Sequence, residues 1–216
     1  MVTTPTSAEA PLRRRNAELT REEILDVAVR EFSRQGFSGA RVDEIAAQTS
    51  TTKRMIYYYF GGKEQLYIAA LERAYSVLRD AEAQLNVDDL DPVDAIRRLA
   101  QMTLDYHEAH PDFIRLVAIE NIHHGEHIAK SEVLRAMGSP VVTATARTLE
   151  RGYRDGVFRR QADAIDLHMM ISAFCFFRVA NRHTFRIAVG RDLMDPASHE
   201  HHRKMLGDMV VSYLTT

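Results

Sequence analysis

"TSTTKRMIYYYFGGKEQL", residues 49–66, sets Lys53 and Arg54 just ahead of three consecutive tyrosines and closes on a glycine pair before Lys63. A buried helix does not ordinarily place hydroxyls at three successive positions, and a solvated helix does not ordinarily carry so many rings. Wound at about 100° per residue from Thr52, the segment separates into two faces. Ile56, Tyr59 and Phe60 fall on one face, where they can bury against Ile45 and Ala46, while Lys53, Arg54, Tyr57 and Tyr58 fall on the other. Cations neutralise phosphate, and an arginine fork also matches the edge of guanine. Tyrosine hydroxyls donate to phosphate oxygens while their rings pack on sugars and thymine methyls. The outward face therefore has the chemistry of a helix laid in a DNA major groove. The competing reading is a packed aromatic helix, and the flanking sequence decides between them.

Upstream, Thr20 and Glu23 have the spacing of a capping box at the start of a first helix. Its apolar stripe runs through Ile24, Ala28 and Phe32 to a left-handed C-cap expected at Gly36. A short second helix is expected over 42–48 and a third over 53–60, with Gly61 and Gly62 ending it. Three short helices with a tight turn between the last two form a helix-turn-helix arrangement.

Gly36-Phe37, Ile45-Ala46, the run Ile56-Tyr57-Tyr58-Tyr59-Phe60 and Lys63-Glu64-Gln65-Leu66 stand at set spacings. With them, residues 20–70 resemble the DNA-binding module of the TetR/AcrR transcriptional repressors. The resemblance implies that Thr52, Lys53, Arg54, Tyr57 and Tyr58 contact the groove and backbone. It implies that Lys63, at the positive N-terminus of a fourth helix, meets a phosphate, and that Arg41, at the start of the second helix, reaches the DNA. The pattern departs at two places. The family usually has threonine where Ala40 stands, so a helix cap is missing. It usually reads Ala-Gly-Val-Ser where this chain has Thr49, Ser50, Thr51 and Thr52. Ser50 for a turn glycine and Thr51 for a buried valine are expected to lower local stability by about 1 kcal/mol each.

The remaining sequence bounds the rest. With 216 residues, 45% hydrophobic and 27% charged, the chain has ordinary soluble composition and suits a small domain joined to a larger one. A formal net charge of -2 provides no global basic field, so DNA affinity must come from a local patch. Cys175 is the single cysteine, which excludes an intrachain disulfide and points to a reducing, cytoplasmic setting. No apolar run approaches the roughly 20 residues that span a bilayer, so no membrane partner is expected. The first residues lack the apolar core of a secretory signal. With Pro5 and Pro11 they read as a disordered tail over 1–18, in which Arg13, Arg14 and Arg15 are either solvated or a basic arm along DNA.

Helical periodicity covers nearly everything after Leu19, with no convincing strand alternation and no internal repeat. The fold is expected to be all-α. A helix-turn-helix domain over 19–66 is joined to a C-terminal effector-binding and dimerisation bundle over 67–216. Within the bundle, helices are expected over 93–109, 111–124 and 163–190, with a last helix from Pro196. Gly152 to Gly156 reads as a turn. The last two helices, through Ile171, Phe174, Met209, Val210 and Tyr213, supply apolar material for a homodimer interface. An effector pocket is expected between the first three of these helices, lined by Tyr106, Phe113, Val117, Asn121, Phe177, Arg178 and Asn181. Arg178 would there serve a carboxylate, or else pair with Glu120 or another acid of the bundle.

His123 and His127 have i, i+4 spacing, but Gly125 interrupts the helix that two metal ligands would need. Surface or pocket histidine is the better reading, and no metal is assigned. No glycine-rich phosphate loop, nucleophile elbow or metal signature appears, so no catalytic residue and no cofactor is assigned. The function expected is a dimeric, ligand-responsive regulator that leaves its operator DNA when a small-molecule effector binds. The alternative is a DNA-independent small-ligand-binding helical protein.

Overall fold

A computed structural model describes the backbone of residues 9–216 and the side chains from residue 16 onward. Among the described residues all regular structure is helical. The chain divides into two compact units. The first runs to Ala74 and adds Ile119–Arg135; the second comprises Tyr75–Ala118 and Ala136–Thr216.

In the first unit, α1 (Glu9–Gly39) kinks at Gly36, whose φ of 70° and ψ of 173° are open to glycine alone. The tail expected over 1–18 is therefore helical from Glu9, because Ala10, Leu12, three arginines and Glu18 are good helix formers and Pro11 is tolerated in a first turn. Residues 1–8 and the side chains of Arg13, Arg14 and Arg15 lie outside the described residues. The capping box does not form either. Thr20 lies inside α1, where its hydroxyl donates to the Asn16 carbonyl at 2.9 Å. The stripe of Ile24, Ala28 and Phe32 is fully buried.

Then come α2 (Val42–Ala47), α3 (Lys53–Phe60) and α4 (Lys63–Ala83). The compact unit extends past the expected boundary at residue 66 because Tyr67 is part of its core. Tyr67 is completely buried and stacks edge-on against Phe32 at 4.8 Å and obliquely on Phe37 at 5.2 Å. The segment Ile119–Arg135 closes this cluster with His127, whose ring lies 4.8 Å from Tyr67 and 4.6 Å from Phe37. Burial pushes the Tyr67 hydroxyl well above its ordinary pKa, and the Glu120 charge adds to the effect. Glu120, itself buried, accepts from the His127 and Ile128 backbone N–H groups at 3.2 and 3.1 Å and lies 3.0 Å from His127 Nδ1.

The second unit is built on α5 (Pro92–Ala109), which packs against α8 (Pro140–Arg154), α9 (Ala164–Ala180) and α11 (His199–Thr215). Asp91 and Asp163 cap α5 and α9 by accepting from the first free N–H groups. Ile96, Leu99, Leu104, Leu149, Leu167 and Leu206 form the core. Removing each such side chain from water contributes roughly 1.5–3 kcal/mol. In chain order α6 (Pro111–Ile122) starts in the second unit and ends in the first, the short α7 (Glu132–Ala136) falls almost wholly in the first, and α10 (Arg182–Val189) belongs to the second. The helix expected over 111–124 stops at Ile122, since His124 and Gly125 take positive φ.

Two further expectations change. Gly152 lies within α8, not in a turn, because the Phe158 ring rests where its Cβ would be. The single helix expected over 163–190 is two helices, α9 and α10, bent by 73°. The break is at Asn181, the C-cap of one and N-cap of the other. Among the described residues no single helix is long and apolar enough to cross a membrane.

Candidate functional site

The turn between α2 and α3 holds without glycine. Ser50 donates its N–H and its hydroxyl to the Glu23 carboxylate of α1, at 2.8 and 2.5 Å. Those bonds keep the Glu23 carboxyl below the usual range. No positive φ is found at Ser50; among the described non-glycine residues only His124 has one. Thr49 Oγ1 donates to the Ala46 carbonyl at 3.0 Å, and Thr52 caps α3 by accepting from the Met55 N–H at 3.4 Å. Gly61, at φ 82°, ends the helix.

Ile56 and Phe60 bury against the unit, Tyr59 is half-buried, and Lys53, Arg54, Tyr57 and Tyr58 are exposed. Tyr58 is 78% exposed, against 44% for Tyr57 beside it. Lys53 makes a solvent-exposed ion pair with Asp43 at 3.0 Å. Pairs of this kind contribute little and are easily exchanged for a phosphate. Arg41 is the N-cap of α2, exposed and without a side-chain capping bond. Lys63 begins α4, lies 5.0 Å above the Phe37 ring and donates to the Ser38 carbonyl at 3.3 Å. Thr52, Lys53, Arg54, Tyr57 and Tyr58 thus share one short element, with Arg41 and Lys63 at neighbouring helix starts.

The seven residues expected to line an effector pocket do not gather in one place. Tyr106 stacks on His110 at 4.0 Å, meets Phe113 edge-on at 6.1 Å, and lines a cavity of about 360 Å³ with Leu85, Arg98 and Met102. Phe177 and Arg178 line a second cavity of about 360 Å³ with Phe174, Phe185, Arg191 and His202. Val117 belongs to the second unit, Asn121 to the first, and Asn181 forms the α9–α10 joint. The acid that neutralises buried Arg178 is Glu108 of α5, not Glu120, which is committed to His127. Arg178 Nε donates to Glu108 Oε1 at 3.0 Å, and His199 Nδ1 lies 2.7 Å from the other oxygen.

Other titratable groups in this unit are set by burial. The His107 pKa is lowered to about 4, by desolvation first and by neighbouring His168 second. Burial pushes the Cys175 thiol up to about 12 and the Tyr106 hydroxyl likewise to about 12. Burial thus keeps these groups uncharged at neutral pH. Among the described residues no group of three or more His, Cys, Asp or Glu is placed to hold a metal.

Comparison with known proteins joins these two units to one pattern. Residues 24–70 match the family model "Bacterial regulatory proteins, tetR family", and residues 92–210 match "Tetracyclin repressor-like, C-terminal domain". The HTH-type transcriptional repressor NicS of Pseudomonas putida is 40% identical over 184 residues, covering 85% of this chain and 87% of that protein. The HTH-type transcriptional repressor SCO4008 of Streptomyces coelicolor is 34% identical, over 82% and 86% of the two chains. The chain belongs to the tetR family. The crystal structure of the regulator SCO4942 from Streptomyces coelicolor, 27% identical, superposes with a TM-score of 0.67 over 90% of this chain and 98% of that one. As a tetR-family member the chain is a helix-turn-helix transcription regulator, not an enzyme.

Within this tetR-family chain, Phe185, Arg191 and His202 were not anticipated beside Phe177 and Arg178. Phe185 and Arg191 arrive there because the chain turns at Asn181, a break that neither proline nor glycine announces, and His202 comes from α11, which packs on α9. The Glu23–Ser50 bonds were equally hidden, since they join positions 27 residues apart.

Proposed function

We propose that the chain binds double-stranded operator DNA as a homodimer and represses transcription until a small molecule held in the second unit releases it. Insertion of α3 in the major groove is carried by one observation: Ile56 and Phe60 anchor that helix while Arg54, Tyr57 and a 78% exposed Tyr58 face away from the protein. That NicS and SCO4008 are transcriptional repressors supports the sign of regulation. In this reading Arg54 reads a base edge, Lys53, Tyr57 and Tyr58 hold phosphate and sugar, Thr52 approaches the backbone, and Arg41 and Lys63 fix register.

Dimerisation is supported by the exposed apolar side chains of α9 and α11, Ile165, Met169, Met170, Met209 and Tyr213. Ile171 and Val210 belong instead to the chain's own core. Successive major grooves on one DNA face lie about 34 Å apart, so an effector that changes the separation of the two α3 copies costs one half-site. Release then follows from differential affinity of the effector for two states.

Fluorescence anisotropy on DNA from upstream of the chain's own gene tests the assignment. Tyr58→Ala and Lys63→Ala are each expected to weaken binding by about 1–2 kcal/mol across all sequences. Operator affinity unchanged in both variants would refute it.

A further inference from the structure

We infer that the cavity walled by α9, α10 and α11 takes a small monoanionic carboxylate with a planar apolar body. The inference rests on the effector reading and names the chemistry of the molecule.

The cavity, about 360 Å³, is in the range of small-ligand sites, which run from roughly 300 to 1,000 Å³. Its apolar wall is aromatic. Phe177 of α9 and Phe185 of α10 meet edge-on with centroids 5.7 Å apart and planes at 86°, and Leu193 adds an aliphatic side. Phe177 is 46% exposed, so a face of this wall remains for a flat ring.

The polar lining is cationic or donor-bearing: Arg178, Arg191 and His202, with no acid among the described lining residues. The Arg178 side chain is 3% exposed, and its ion pair with Glu108 engages Nε and Nη2. Its Nη1 is buried without a hydrogen-bond partner, and so is Nδ1 of His202. Buried donors are ordinarily paired, so two orphans beside one cavity call for an acceptor. Carboxylate oxygens supply two acceptors on one planar group. Glu108 offsets the charge of Arg178, which leaves Arg191 as the excess cation at the cavity. That balance suits a monoanion better than a phosphate. Burial lowers the His202 pKa, and the Arg178 and Arg191 charges add to the effect, which favours the neutral ring. In the tautomer protonated at Nδ1 it donates to the anion without bearing charge.

Isothermal titration of the full chain without DNA, using benzoate and its neutral isostere benzamide, separates this site from the DNA reading. Benzoate is expected to bind and benzamide to bind about tenfold more weakly or not at all. Arg191→Gln is expected to weaken benzoate about tenfold while leaving the circular dichroism melt unchanged, and Phe185→Ala to weaken both compounds. Equal affinity for benzoate and benzamide would overturn the inference. So would benzoate binding undiminished by Arg191→Gln, or no heat with benzoate, cinnamate or 2-naphthoate, as when a second copy of the chain fills the cavity. Benzoate binding in a chain that fails to bind its upstream DNA supports the site and refutes the operator assignment instead.

Discussion

Arg54 and Lys53 sit side by side on α3, yet different tasks are proposed for them. Lys53 already has Asp43 at 3.0 Å, a point charge in an exposed pair. Arg54 carries a planar fork that can address two acceptors on one base. Arg54→Ala is therefore expected to relax preference at one or two base pairs instead of weakening binding uniformly, which selection from a randomised operator pool measures. An unchanged preference would remove Arg54 from base readout. His107 gives a prediction on stability. Its pKa falls from 6.5 to about 4 on folding. Below pH 6.5 the unfolded chain takes up a proton that the folded chain refuses, so this contribution is complete above 6.5 and lost as pH falls to about 4. The difference amounts to about 3 kcal/mol. His107→Leu should flatten the decline of Tm across that window, and a decline as steep as the wild type's would contradict a buried neutral ring. At this scale the sequence was readable where chemistry and helical position coincide, as at Tyr58. It was unreadable where a partner is distant, since nothing local pairs Glu108 with Arg178 or Glu23 with Ser50.

The elements were legible in proportion to their punctuation. Thr52 before α3 and Gly61 after it are strong stop signals, and α3 has the bounds expected of it. Asp91-Pro92 and His110-Pro111 do the same for α5 and the start of α6. The apolar run from residue 164 offers no such signal, and its periodicity continues past the bend at Asn181. There the backbone at φ −99° and ψ 6° lets two helices share one cap residue. Gly152 reads in sequence as a turn former, whereas its role is to admit a ring: a Cβ there would stand 2.0 Å from Phe158 Cδ2. Gly152→Ala is accordingly expected to destabilise the second unit by about 1–3 kcal/mol despite alanine's better helix propensity. Thermal denaturation decides this, and a higher Tm would show that Phe158 moves aside freely.

At the level of the whole molecule, the first 70 or so residues carried the family in short motifs, while the second unit was legible only as a helical bundle. Its core positions repeat at helical spacing in any bundle, so burial of Ile171 and exposure of Met169 depend on which helices surround α9. The exposed side chains of α9 and α11 are proposed to meet their copies in a second chain. Light scattering is expected to give twice the monomer mass at micromolar concentration, and Met169→Glu with Met209→Glu to give monomer. A wild-type monomer that still binds its operator would contradict the dimer. The central claim, that α3 holds operator DNA in the major groove as one half of a twofold pair, is tested most directly by hydroxyl-radical footprinting on the chain's own upstream DNA. The expected result is two protected half-sites on one face, about one helical turn apart, both lost when Tyr58→Ala and Lys63→Ala are combined. The claim fails if no segment is protected above the non-specific level, or if protection survives both substitutions.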